Sequence, residues 1–168
     1  QFGSSMNTAA NAVLGGWQVT LIERISTGFP VPLIDSSNQS GTTFNSGGDS
    51  YNFNRPNQLT SCDPHGGSHA NHQFLNTACF PAPLAGELGN ASRVPVSGPD
   101  FVNSDFSAIK DFRFHGEMGL NFRAEFFNLF NHTQYGSPVN DKNAPGFGVL
   151  TSTVNNPRLV QFAVKLSF

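Results

Sequence analysis

The chain has 168 residues, and 12% of them are charged, about half the share usual in soluble domains. Nine Lys and Arg against eleven Asp and Glu leave a net charge of −2, too little positive charge to neutralise a run of phosphates, so no nucleic-acid partner is expected. No apolar run reaches the ~18 residues of a membrane-spanning helix. Phe is as common as Gly, at 17 each, and the remainder is rich in Asn, Ser and Thr. That composition suits strands joined by polar turns, in a secreted β-protein or in a β-barrel with a face turned to lipid. Gln1–Ser5 put no basic flank ahead of an apolar core, so no signal peptide is expected. The chain reads as a mature product or a piece of a longer protein.

Gly15-Gly16 opens the first expected strand. Trp17, Val19, Leu21 and Ile25 alternate with Gln18, Thr20, Arg24 and Ser26, while Ile22 and Glu23 sit on the wrong faces. Gly28 to Ile34 contains Pro30 and Pro32, which restrict it to an edge, a strand end or a bulge. From about 35 to 100 no period is sustained, and Gly, Ser, Asn, Pro and His abound, so a long functional or external loop is expected.

Asp105 to Phe114 sets Phe106, Ala108, Phe112 and Phe114 against Asp105, Ser107, Asp111 and Arg113, with Ile109 and Lys110 out of pattern. A tight turn is expected at His115-Gly116. Met118, Leu120, Phe122, Ala124 and Phe126 then oppose Gly119, Asn121, Arg123 and Glu125, completing a β-hairpin. Phe147 to Val154 reads as a weaker strand and Asn155-Asn156-Pro157 as a reverse turn. Val160, Phe162, Val164, Leu166 and Phe168 alternate without a fault with Gln161, Ala163, Lys165 and Ser167 to the final residue.

Such apolar faces meet either a protein core or lipid. Phe-rich stripes, a Trp near a strand end, and reverses that alternate between short and long favour an outer-membrane barrel. A soluble secreted β-sandwich that binds a glycan or peptide is the alternative.

No nucleophile motif, zinc-protease motif or phosphate-cradling loop is present, and no enzyme is expected. The carboxylates Asp105, Asp111 and Glu125 are read as part of a charge ladder with Arg123 rather than as an acid–base pair. Cys62, Asp63, His65, His69, His72 and Cys79 are metal-ligand types. Their spacing fits no zinc motif, and the segment is expected to be a solvated polar loop with no metal or cofactor.

Asn121 to His132, with its Arg-Ala-Glu-Phe-Phe-Asn-Leu-Phe-Asn-His run, resembles a segment of TonB-dependent outer-membrane receptors of the Oar-like type, which often carry a carboxypeptidase-regulatory-like domain. Leu14 to Gln18 with Gly28-Phe29-Pro30, Arg55-Pro56-Asn57, Phe74 to Phe80, Gly86 to Asn90, Asp105 to Phe112, Phe147-Gly148, Pro157-Arg158 and Gln161-Phe162 are similar to further segments of that family, in order. Leu75 and Cys79 depart from its pattern. The resemblance implies an all-β antiparallel meander forming a partial transmembrane barrel of about six strands. Residues 1–168 would be the C-terminal barrel segment, with 35–100 a long external loop. It further implies a transport role in the bacterial outer membrane. The expected partners are lipid, the barrel-assembly machinery, the TonB complex through N-terminal parts absent from this chain, and a glycan, peptide or chelate ligand.

Under that reading the last strand, with Val160, Phe162, Val164, Leu166 and Phe168, is an assembly signal that pairs by its backbone and seats alternate side chains. Cys62 and Cys79, exposed to an oxidising periplasm during export, are expected to pair in a disulfide, with two free thiols as the alternative.

Overall fold

The computed structural model describes residues 13–37, 39–41, 43–46, 49–52, 54–66, 70–114 and 118–168. The strands are β1 (Trp17–Ser26), β2 (Pro30–Val31), β3 (Thr43–Ser46), β4 (Asp49–Asn52), β5 (Val96–Ser97), β6 (Phe101–Arg113), β7 (Gly119–Phe127) and β8 (Leu159–Ser167). The fold is all-β and antiparallel, and the barrel is not closed. The chain divides into two compact units.

The first unit comprises 1–25, 102–133 and 155–168 and carries one sheet in the order β1-β6-β7-β8. Spatial order equals chain order, so the sheet is a meander without crossovers. Ser104 meets Glu23, and further along β6 Lys110 meets Trp17 and Gly15, so β1 and β6 run in opposite directions. β6 and β7 pair in the register Phe106–Phe126 to Arg113–Gly119, and β7 and β8 from Phe127–Leu159 to Gly119–Ser167. The expected turn at His115-Gly116 lies outside the described residues.

That register places the period-2 pattern of the sequence on two faces. Phe106, Ala108, Phe112, Leu120, Phe122, Ala124, Phe126, Val160, Phe162, Val164 and Leu166 share one. Ser107, Asp111, Arg113, Asn121, Arg123, Glu125, Gln161 and Lys165 share the other. Rings pack across the strands, with Phe126 edge-on to Phe162 at 6.3 Å and Phe122 stacked on Phe162 at 6.2 Å.

The end of the sheet where β7 stops is tied by Asn128 to His132. Asn128 and Asn131 take positive φ of 52° and 53°, which Asn tolerates better than most residues. The Asn128 Oδ1 accepts the His132 N–H at 2.9 Å, and its Nδ2 donates to the carbonyls of His132 and Asn156. The Asn128 N–H donates to Asp105 at the start of β6. The Arg158 N–H donates to Asn131 Oδ1, and its guanidinium donates to the Leu129 carbonyl. Where ladder pairing has run out, β7 is therefore tied to β6 through the Asp105 carboxylate and to the lead into β8 through the side-chain amides of Asn128 and Asn131.

The second unit comprises 26–101 and 134–154. Its core is Val31, Leu33, Leu75, Cys79, Phe80, Val96 and Phe147, with Cys62 and Phe74 packed against it. β2 pairs with β5 and β3 with β4. The expected strand at 147–154 does not form. Gly146 and Gly148 adopt φ of 79° and 78°, which breaks extended backbone, and Phe147 between them turns into the core. The rest makes isolated bridges, Gln73–Val149, Pro138–Leu150 and Tyr135–Thr153. Asn155-Asn156-Pro157 is accordingly not a reversal between two sheet strands but the lead into β8. The stretch expected to be a long external loop supplies most of this core.

Candidate membrane-spanning sheet and loop unit

The four long strands have 10, 13, 9 and 9 residues, close to the ~9–11 that a tilted strand needs to cross the hydrocarbon. Their apolar face is open: Phe162 and Val164 are each 64% exposed, and Val19, Leu21, Ile25 and Leu166 are exposed as well. Among the described residues no helix or second sheet of this unit covers those side chains, so the packing of a soluble sandwich is not met. A contiguous Phe, Val and Leu surface of this kind is stable only against an apolar phase.

Two polar residues on that face are satisfied within it. The Ser104 hydroxyl donates to Glu23 Oε2 at 2.7 Å. Lys110, 2% exposed, donates to the Gly15 carbonyl, with its ammonium 5.1 Å from the Phe112 ring centre and 5.8 Å from that of Trp17. The lysine stem thus lies among rings while its head reaches back to the strand end. Periodicity alone marks Glu23 and Lys110 as faults. Their partners lie on a neighbouring strand or just ahead of one, which local pattern does not reveal.

The opposite face is a polar network. Asn121 Nδ2 donates to Asp111 Oδ1 at 2.7 Å across the β6–β7 pair. Arg123 and Glu125 form an ion pair at 3.7 Å within β7. Asp105 instead binds Asn103 and the Asn128 N–H, as part of the tie at the sheet end.

Sheet direction fixes where the connections leave. The end of β1, the start of β6, the end of β7 and the start of β8 lie at one end of the meander. The end of β6, the start of β7 and Phe168 lie at the other. Val160, Phe162, Val164 and Leu166 stand on the open apolar face of the edge strand β8, and Phe168 is 95% exposed.

In the second unit, Cys62 and Cys79 are joined in a disulfide with Cα atoms 5.4 Å apart, and Cys79 is fully buried in the core. The two described candidate histidines have separate partners. His65 meets Phe74 edge-on at 5.0 Å, His72 lies against Tyr135 at 5.7 Å, and His69 is outside the described residues. Among the described residues no three His, Cys, Asp or Glu side chains gather as a ligand set.

Asp35, fully buried, is a polar centre that composition did not single out. Its Oδ1 accepts from the Ser37 N–H, the Ser37 hydroxyl and Asn143 Nδ2. Burial pushes its carboxyl upward, but the Ser37 and Asn143 donors and the Lys142 charge outweigh that and hold it below the usual carboxylate value. Asp141 does the same work beside it, accepting from the N–H groups of Ser36 and Asn143. Together they fasten the 134–154 connection onto the 26–101 stretch.

These features define an antiparallel β-meander with one apolar and one polar face, of the kind that forms the wall of a membrane barrel. The family model of the outer membrane beta barrel domain matches residues 1–161, and the chain belongs to that family. It is a bacterial outer-membrane barrel protein. No curated protein and no solved structure matches the chain.

Proposed function

We propose that the chain is the C-terminal barrel segment of a TonB-dependent receptor of the Oar-like type. In this reading β1, β6, β7 and β8 are closing wall strands, and residues 35–100 form an external segment that contacts a glycan, peptide or chelate. The last strand, ending at Phe168, is the signal taken up by the barrel-assembly machinery. The role is non-enzymatic: capture at the outer face and passage inward, with energy delivered through TonB by parts of the receptor outside this chain.

The observation that carries the reading is the placement of connections. Both long ones leave the sheet at the same end, whereas the short one and the carboxyl terminus occupy the other. Outer-membrane barrels put long loops outside and short turns in the periplasm. The test is uptake of labelled oligosaccharides, peptides and metal chelates by cells carrying the whole receptor. Uptake of one class is expected to be lost both when TonB is deleted and when residues 35–100 are excised. Uptake that persists without TonB overturns the transport mechanism, and uptake unchanged by the excision overturns the loop's role.

A further inference from the structure

The geometry points to the Asp63–Pro64 peptide bond as a self-cleaving bond, cut by the Asp63 side chain and held afterwards by the Cys62–Cys79 disulfide. The inference is independent of the transport reading.

Three features meet at this turn. The first is the leaving group. Proline nitrogen belongs to a tertiary amide, and once protonated it departs as a secondary amine. The second is the nucleophile. Asp63 Oδ1 accepts the His65 N–H at 3.0 Å, which restrains the carboxylate at the turn, and closure onto its own main-chain carbonyl carbon forms a five-membered ring. The third is polarisation of that carbonyl. Its oxygen accepts the Gly66 N–H at 3.1 Å and Asn76 Nδ2 at 3.4 Å, two donors from different parts of the chain. Asn76 is oriented for this, because its Oδ1 accepts the Ala78 N–H and its own N–H donates to the Pro64 carbonyl at 2.8 Å. Asp63 is exposed, so water reaches the product.

The chemistry balances without a co-reactant other than water. A carboxylate oxygen of Asp63 adds to its own main-chain carbonyl carbon and closes a cyclic anhydride. The bond from that carbon to the Pro64 nitrogen breaks, the electron pair stays on nitrogen, and a proton is taken from solvent. Water then opens the anhydride, leaving Asp63 as a new carboxyl terminus and Pro64 as a new amino terminus. The titratable groups at the turn are Asp63 and His65, whose ring packs edge-on against Phe74; Asn76 and the disulfide, which also meet the turn, add none. Because the departing nitrogen needs a proton, cleavage speeds up in mild acid.

The cut falls inside the loop closed by the disulfide, so the two pieces remain one molecule until the disulfide is reduced. The test uses the whole protein, extracted from outer membranes in detergent and incubated in mildly acidic buffer. A single band without reductant is expected, with two bands after reduction, the C-terminal piece carrying an amino terminus that reads Pro64, His65, Gly66. Asp63→Ala abolishes the cut. Asn76→Asp keeps the acceptor for Ala78 but removes the donor, and it slows the cut about tenfold, less than for a donor in a closed active site because this contact is long and wet. Equal rates in native protein and in protein denatured in urea would overturn the proposal, since the bond would then be merely acid-labile. Intact protein after prolonged incubation would overturn it as well.

Discussion

Asp35 shows what a buried carboxylate contributes when donors from two distant parts of the chain converge on one of its oxygens. Its folded-state carboxyl lies below its ordinary value of 3.8. The stabilisation it gives is therefore fully present above that value and is lost as the pH falls through the lower, folded one. Asp35→Asn is expected to cost the second unit about 2 kcal/mol near neutral pH and to flatten its acid sensitivity. Hydrogen exchange at the amides of 31–37 and 140–143, followed from neutral to acid, checks both. Protection that falls identically with acid in the variant would rule out Asp35 as the titrating group. Little of this was legible in the sequence: Asp35 stands at the edge of an aperiodic stretch, and its donor Asn143 is separated from it by 108 positions. Asn128 stands out in the sequence only within the family resemblance, and its role emerges from bonds to Asp105, His132 and Asn156.

For the strands, sequence and structure agree most closely where each residue's face is set by its immediate neighbours. β6, β7 and β8 follow their period-2 patterns, because side-chain alternation is built into extended backbone. The 147–154 stretch mimics that pattern yet fails as a strand, since left-handed Gly146 and Gly148 on either side of Phe147 break the extended run at its start. Lys110 tests the reading of the apolar face. Lys110→Met keeps an unbranched apolar stem between Trp17 and Phe112, and folded barrel is expected at wild-type yield. Lys110→Glu sets a carboxylate beside the Gly15 carbonyl on a lipid-facing surface, and the yield is expected to drop severalfold, in line with a cost of about 2 kcal/mol. Heat-modifiable mobility of outer-membrane extracts on gels measures the folded fraction. Equal yields from the two variants would place this face away from hydrocarbon.

Across the whole molecule, the two units draw their stability from different sources: the sheet from lipid and neighbouring wall strands, the second unit from its own core and disulfide. Cys62→Ser with Cys79→Ser should therefore weaken the second unit alone, by about 3 kcal/mol for a loop of this length. Faster exchange at Leu75 and Phe80 with unchanged heat-modifiability is the expected pair of results; loss of the folded barrel would show that the units are not separable. The second unit was hidden from sequence reading because its core residues, Val31, Leu33, Leu75, Phe80, Val96 and Phe147, come from distant positions with no local period. The same wide spacing sets a timetable for folding. Phe80 stacks edge-on against Phe147 at 6.2 Å, and Phe147 enters the chain only after β6 and β7. During export the earlier stretch must wait, its apolar side chains unsheltered, until the hairpin has been delivered. Chaperone protection is then needed longest by the residues between Val31 and Val96, and the last of them to find shelter are those that Phe147 covers.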